Sequence, residues 1–175
     1  CAILWTSGTT GLSKGVLHSY NSWIRAIYGI TVQFQSQPGD IIYCTLPLYN
    51  TAAWITSIYR ALIEGLPCVI EKKFSVSAFI ERIRHFGATQ TYVIGAMSVF
   101  LWNTAEKPDD ASIPLRVAGI IPMPPELWNR FEQRFGLRIL RTGFGMSECQ
   151  LIANQVGAPE SLPLHAMGFP PEDLE

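Results

Sequence analysis

The sequence has few charged residues, few cysteines and no long apolar run, and each shortage excludes a class of protein. Charged residues make up 15% of the chain and the net charge is −1, so we expect no surface that binds nucleic acid. The 4 cysteines lie far apart without a C-x-x-C pair, which argues against a zinc site or a disulfide framework and favours reduced thiols in the cytoplasm. No charge-free apolar run approaches the ~20 residues of a membrane-spanning helix, so we expect no integral membrane segment.

Apolar residues, in contrast, are abundant. They make up 48% of 175 residues, which is enough chain and enough apolar surface for one domain with its own core. A high apolar content with so little charge is typical of a piece of a larger protein, part of whose surface is normally covered. The first residue is cysteine and the chain opens inside an apolar run, so we expect a fragment.

Short apolar runs alternate with amphipathic segments along the whole chain. Strands are predicted at 1–5, 41–46, 67–71, 89–94, 116–121 and 137–141, and helices at 20–34, 51–64, 76–86, 96–105 and 124–135, with an exposed loop at 106–114. This alternation predicts an α/β fold, with a mostly parallel sheet flanked by helices on both faces. Because ligands bind such sheets at the carboxyl ends of the strands, the loops at that edge are the candidate site.

The first candidate loop covers residues 6–15, TSGTTGLSKG, and follows the first predicted strand. Glycines permit positive φ and a close approach of the backbone, while N–H groups and hydroxyls form an anion-binding concavity. The loop is not a P-loop, because Ser13 replaces the second glycine and Gly15 follows Lys14. A flexible Gly/Ser linker is the alternative. We predict a polyphosphate-binding loop whose ligand-binding residues are Thr6, Ser7, Gly8, Thr9, Thr10, Gly11 and Lys14.

The second candidate loop covers residues 142–148, TGFGMSE, and follows the last predicted strand. A nucleotide base can stack on Phe144, a phosphate oxygen can accept a hydrogen bond from Ser147, and Glu148 can hold a hard cation. Gly143 and Gly145 are permissive backbone positions on either side of the ring. Both loops are expected at the same edge of the sheet, so we predict that they face one cleft.

Together the two loops resemble the signatures of the adenylate-forming (AMP-binding) superfamily, which includes acyl-CoA synthetases, luciferases and peptide-synthetase adenylation domains. The first loop is similar to T-S-G-T-T-G-x-P-K-G, with Ser13 in place of the proline, and GFGMSE is similar to Y-G-M-T-E. Residues 118–124 resemble the S-G-G-A-P-L-P segment that covers adenine, where Gly119 is the glycine that remains. Asn50 stands where the family commonly has histidine.

The resemblance implies an ATP-dependent carboxylate:CoA ligase, which forms an acyl-adenylate and transfers the acyl group to coenzyme A. It implies catalytic roles for Lys14 on the β- and γ-phosphates, Ser147 on the α-phosphate and Glu148 on Mg²⁺. ATP or AMP, Mg²⁺ and CoA are the implied cofactors, and a small-molecule carboxylic acid is the implied substrate. Residues 71–75 resemble the fatty-acid or carnitine-like branch. The resemblance leaves open whether the protein forms a homo-oligomer.

The resemblance also implies that residues 1–175 are one α/β subdomain of a large N-terminal domain. The family's later ribose-binding aspartate and its C-terminal domain, which carries a lysine for adenylation, are not in this sequence. We therefore expect the chain by itself to form no acyl-adenylate. Two alternatives remain open: an adenylation domain that loads a carrier protein, and a non-catalytic fragment that acts through protein contacts.

Overall fold

The computed structural model describes residues 2–6, 8, 11–141, 143–163 and 166–170. The chain begins with an antiparallel hairpin of β1 (Ala2–Trp5) and β2 (Gly15–His18). A separate five-stranded sheet follows, and all its strand pairs are parallel, in the spatial order β4-β3-β5-β6-β7. Its strands are β3 (Ile42–Cys44), β4 (Cys68–Ile70), β5 (Gln90–Ile94), β6 (Val117–Ile121) and β7 (Arg138–Ile139).

One helix leads from the hairpin to this sheet, and the other helices connect its strands. In chain order the helices are α1 (Tyr20–Phe34), α2 (Thr51–Ala53), α3 (Tyr59–Glu64), α4 (Val76–Phe86), α5 (Gly95–Trp102) and α6 (Trp128–Phe135). A π-helical turn, Trp54–Ile58, joins α2 to α3, so the single helix predicted at 51–64 is continuous but irregular. No helix of the described part of the chain is long and apolar enough to cross a membrane.

The two faces of the sheet bury different helices. Phe79 of α4 and Phe131 of α6 pack in one core with Ala118. Trp23 of α1 packs in a second core with Val117, the neighbour of Ala118 in β6. Because successive side chains of a strand point to opposite faces, the sheet is covered on both sides. The predicted α/β fold, with helices on both faces, is confirmed.

Local signals in the sequence correctly mark several helix ends. The Ser19 side chain accepts a hydrogen bond from the Ser22 N–H at 3.1 Å and so caps α1. Gly65 and Gly87 end α3 and α4 in the left-handed region, at φ values of 67° and 62°. Side chains with a Cβ rarely adopt this conformation, so glycine at these positions stops each helix where the sequence predicted.

The hairpin corrects the predicted connection at the start of the chain. The sequence predicted a strand of the parallel sheet leading through the first loop into a helix, but residues 15–18 form β2, which pairs with β1. Leu4, 9% exposed, anchors the hairpin in the core beneath α1. The prediction missed β2 because its four residues are short and no two-residue turn signals the hairpin. The first loop therefore joins two strands of the hairpin and does not follow a strand of the parallel sheet.

Residues 106–114 were predicted to form an exposed loop, and most of them are exposed, but two are buried. They contain a 3₁₀ turn, Asp110–Ser112, and Asp110 is 5% exposed. The Asp110 carboxylate lies 2.9 Å from Nε of Arg134, whose side chain is also buried. Ile113 is buried in the core of the α4–α6 face. An ion pair and an apolar anchor thus hold this segment against the domain.

At the amino ends of the strands, a buried carboxylate ties the sheet together. Asp40, before β3, accepts hydrogen bonds from the Thr89 hydroxyl at 2.7 Å, the Gln90 amide at 2.7 Å and the Gln37 N–H at 2.7 Å. Arg116, before β6, donates from Nε to the same carboxylate at 3.0 Å. Burial by itself would raise the pKa of Asp40, but these hydrogen bonds outweigh it and hold the pKa well below its usual value. Hydrogen-bonded side chains thus fill the amino edge of the sheet, and the carboxyl edge is the candidate place for a ligand.

Candidate active site

A cavity of about 300 Å³ opens at the carboxyl edge of the parallel sheet. Ile94 at the end of β5 and Ile121 at the end of β6 form part of its wall, with Leu140 just beyond β7. The second loop forms the rim, and α1 and α2 close the sides. The remaining residues of the wall are Ile30, Gln33, Asn50, Thr51, Ala52, Ile55, Thr56, Tyr92, Arg141, Gly143, Phe144, Gly145, Met146, Ser147, Gln150 and Leu151.

The second loop lines this cavity, as its predicted place at the carboxyl edge requires. Phe144 donates its N–H to the Ala153 carbonyl at 2.9 Å and accepts from the Ile152 N–H at 2.8 Å, so the loop folds back on residues 152–153. The Phe144 side chain is 37% exposed, which leaves its ring available for stacking. A Cβ on Gly145 would collide with the carbonyl oxygen of Gln150, so this position requires glycine. Gly143, Phe144, Gly145 and Ser147 are thus brought together, and Thr142 lies outside the described residues.

Glu148 lines a different hollow from its neighbour Ser147. A groove of about 770 Å³ runs between the outer face of α1 and residues 148–157, and both Glu148 and His18 contribute to its wall. Ser147 belongs to the wall of the cavity instead. The chain at 147–148 therefore separates two hollows, with the predicted phosphate ligand on one side and the predicted metal ligand on the other.

The described part of the first loop forms the end of the β1–β2 hairpin. The Thr6 N–H donates to the Lys14 carbonyl at 3.0 Å, and the Lys14 N–H donates to the Thr6 hydroxyl at 3.0 Å. Gly8 has a φ of 66° and accepts from the Gly11 N–H at 3.3 Å. Lys14 is exposed and lines neither the cavity nor the groove. Three of the predicted ligand-binding residues, Ser7, Thr9 and Thr10, lie outside the described residues.

His18 connects the hairpin to the second loop. The ring is 3% exposed and lies edge-on to Trp23, at 5.6 Å between centroids. Its Nδ1 lies 3.2 Å from Nε2 of Gln150. Burial lowers the pKa of His18, although a hydrogen bond with the Ser147 backbone raises it in part. The base of the hairpin is therefore fixed beside Ser147 and Glu148.

Gly119 and Asn50 have clear local roles. Gly119 is buried in β6, where a Cβ would overlap the ring of Tyr92, a residue of the cavity wall. Asn50 lies in the wall, and its Oδ1 accepts from the Ala52 N–H at 2.9 Å, which caps α2. Gly119 itself is outside the wall, so its predicted contact with adenine stays a prediction.

The described residues contain no group of three or more His, Cys, Asp or Glu side chains that could hold a metal ion. Glu148 thus belongs to no such group, and a cation bound there needs further ligands from elsewhere. Mg²⁺ usually keeps several waters and binds one or two carboxylates together with substrate phosphates.

Arg141 is a residue of the cavity that the sequence reasoning missed. The sequence placed it at the end of a predicted strand, and it belongs to the cavity wall next to the second loop. Its Nη1 donates to Oε1 of Gln155 at 3.2 Å. Among the described residues of the wall, it is the one with a charged side chain. The available signal was an arginine at the carboxyl end of a strand, directly before a glycine-rich loop.

Comparison with known families identifies this arrangement. The family described as AMP-binding enzyme matches residues 1–174. The chain belongs to the AMP-binding enzyme family. The predicted resemblance to adenylate-forming enzymes is confirmed, and the two glycine-rich loops that carried it lie within the matched region.

Curated relatives within the AMP-binding enzyme family include proteins named for acyl-CoA synthesis and fatty acid transport. Steroid-22-oyl-CoA synthetase of Rhodococcus jostii (strain RHA1) is 34% identical over 168 residues, which cover 96% of this chain and 30% of the relative. Long-chain fatty acid transport protein 1 of Bos taurus is 32% identical over 155 residues, 88% of this chain and 24% of the relative. The chain thus spans about a quarter to a third of the length of these relatives.

Solved structures of the family share the fold. O-succinylbenzoate CoA synthetase (MenE) from Bacillus subtilis, in complex with the acyl-adenylate intermediate OSB-AMP, superimposes with a TM-score of 0.74 at 22% identity. The match covers 96% of this chain and 34% of that one. The N-terminal domain of FACL13 from Mycobacterium tuberculosis gives a TM-score of 0.71 at 22% identity, over 83% of this chain and 36% of that one.

Proposed function

We propose that this chain is part of an ATP-dependent carboxylate:CoA ligase, which activates a carboxylic acid as acyl-adenylate and transfers the acyl group to coenzyme A. The observation that carries the proposal is the position of the GFGMS loop, which places Ser147 in the wall of the cavity at the carboxyl edge of the sheet. The base of the β1–β2 hairpin supports the proposal as well, because His18 of β2 contacts Gln150, close to this loop. The relatives described above are named for acyl-CoA synthesis or fatty acid transport, which favours CoA over a carrier protein as the acceptor of the acyl group.

The reaction requires two anions to meet. A carboxylic acid of ordinary pKa is ionised at neutral pH, so the substrate needs no general base, but it must approach the negatively charged α-phosphate. The site therefore works by positioning and by countercharge. Ser147 donates its hydroxyl to an α-phosphate oxygen and fixes the phosphorus in the cavity.

The hairpin holds the pyrophosphate that leaves. The Lys14 ammonium binds the β- and γ-phosphates, and a charge-assisted hydrogen bond of this kind contributes roughly 1.5–3 kcal/mol. Glu148 holds Mg²⁺, which offsets charge on the phosphates when bound. The ring of Phe144 stacks on the adenine.

The wider assignment is part of the same proposal. Residues 1–175 form an α/β subdomain of a larger N-terminal domain, the acid belongs to fatty acid metabolism, and the protein works in the cytoplasm with reduced thiols. Cys44, Cys68 and Cys149 are free among the described residues, which agrees with a reducing compartment.

The test uses the full-length protein that contains this chain. Purified protein is incubated with ATP, Mg²⁺ and each of acetate, octanoate and palmitate, and exchange of labelled pyrophosphate into ATP is measured with and without CoA. We expect acid-dependent exchange and an acyl-CoA product with at least one acid. Exchange without a thioester to free CoA supports the carrier-loading alternative, and no exchange with any acid supports a non-catalytic protein.

A further inference from the structure

We propose that Arg141 binds the carboxylate of the acid substrate in the cavity and positions it for attack on the α-phosphate. The inference rests on the proposed function. It assigns a residue to the acid substrate, which neither of the two loops is proposed to bind. The ligand chemistry is that of an anion held by a guanidinium, and the experiment below distinguishes a carboxylate from a phosphate.

Arg141 is a residue of the cavity wall. It follows Leu140 just beyond β7, and both residues line the wall together with Ser147. None of the other described residues of the wall is charged, and no carboxylate of the wall opposes the guanidinium. An anion in this cavity therefore has one positively charged residue in the wall around it, and Ser147, assigned to the α-phosphate, belongs to the same wall.

A buried amide orients the guanidinium. Nη1 of Arg141 donates to Oε1 of Gln155 at 3.2 Å, and Gln155 is 5% exposed. The Gln155 amide donates in turn to the Pro163 carbonyl at 3.2 Å and to the Ala166 carbonyl. Within the described part of the chain, Nε and Nη2 of Arg141 have no hydrogen-bond partner. A planar guanidinium with this edge available matches the two oxygens of a carboxylate.

The residues of the cavity wall favour the carboxylate of the acid over a phosphate of ATP as the anion that Arg141 binds. Apolar side chains such as Ile30, Ile55 and Ile94 make up much of the wall, which suits an acyl chain rather than a polyphosphate. The residues assigned to the leaving phosphates and to Mg²⁺, Lys14 and Glu148, lie outside this cavity. A carboxylate on Arg141 would extend its apolar tail along the wall.

The test compares Arg141→Gln with Arg138→Gln in the full-length protein. Arg138 is an exposed arginine of β7 whose Nη2 donates to the Gln33 carbonyl at 3.0 Å, and it lies outside the cavity wall. We expect Arg141→Gln to raise KM for the acid roughly tenfold to a hundredfold, the loss typical of a hydrogen bond to a charged group, with KM for ATP changed less than about twofold. Arg141→Lys should recover part of the loss, because it restores charge without the planar fork. Arg138→Gln should leave both constants near those of the wild type.

Isothermal titration calorimetry with octanoate, in the absence of ATP, separates this inference from the proposed function. Weaker octanoate binding by Arg141→Gln, with an unchanged thermal unfolding midpoint, supports the inference even if the wild type shows no turnover. A rise in KM for ATP alone assigns Arg141 to a phosphate and overturns it. Unchanged kinetics and unchanged acid binding overturn it as well, and leave Arg141 as a structural partner of Gln155.

Discussion

The Nδ1 atom of His18 lies 3.2 Å from the Nε2 atom of Gln150, and this contact joins the hairpin that carries the first loop to the segment that carries the second. The two residues are far apart in the chain and both are buried. Gln150 follows Ser147 and Glu148 closely, so a shift of the hairpin would displace both. The contact is the structural link between the two signatures of the family.

Acidification should loosen this junction. The pKa of His18 is lowered from 6.5, chiefly by burial, so between the folded pKa and 6.5 the unfolded chain binds more protons than the folded one. Stability is therefore complete above pH 6.5 and falls as the pH drops below that value. The free energy of unfolding, measured in urea at about pH 8 and about pH 5, should change less with pH in His18→Gln than in the wild type. The matched control, His85→Gln at an exposed position, should keep the wild-type dependence, and equal pH dependence in all three proteins would contradict the prediction.

Asp40→Asn should destabilise the amino edge of the sheet. The substitution leaves Arg116 without its buried carboxylate, at a cost of about 3 kcal/mol near neutral pH. Because the folded pKa of Asp40 lies below its ordinary 3.8, its contribution is present above pH 3.8 and is lost as the pH falls toward the folded pKa. The difference in unfolding free energy between wild type and variant should thus narrow in acid.

Urea titrations at about pH 7 and about pH 3 measure that difference. Asp109→Asn is the control, since its carboxylate pairs with Arg84 at 2.8 Å but is 54% exposed, and such pairs contribute about 1 kcal/mol or less. An Asp40→Asn effect no larger than that of the control would show that the hydrogen-bonded cluster is not stabilising.

Removal of the Lys14 ammonium should weaken ATP binding in the full-length protein. We expect Lys14→Met to raise KM for ATP roughly tenfold, through loss of a charge-assisted hydrogen bond to phosphate. Lys107→Met, at another exposed lysine far from both hollows, should change KM for ATP little. Steady-state kinetics with ATP as the varied substrate provide the comparison, and similar values for the two variants would remove Lys14 from the site.

Gly119→Ala should disturb both folding and the cavity. The added methyl group overlaps the Tyr92 ring, and forced repacking of this kind costs about 1–3 kcal/mol. Since Tyr92 lines the cavity, substrate affinity should fall together with stability. The double variant Gly119→Ala, Tyr92→Leu frees space and should recover part of the lost stability in denaturant titrations. An additive double variant would show that the two positions do not interact.

Local chemistry in the sequence accounts for much of the fold. The apolar periodicity, the cap at Ser19 and the stop at Gly87 placed most elements near their observed bounds, because propensity and capping act between near neighbours. The two glycine-rich loops identified the family for a similar reason, since each motif is read from consecutive residues.

What the sequence by itself determined is thus the succession of strands and helices and the two loop motifs. Only the tertiary structure decided that β1 pairs with β2 outside the parallel sheet, that Ser147 and Glu148 line different hollows, and that Arg141 belongs to the cavity wall. These features depend on which distant segments pack together and on the direction in which each side chain points. Contacts between residues far apart in the chain set both, and no local pattern records them.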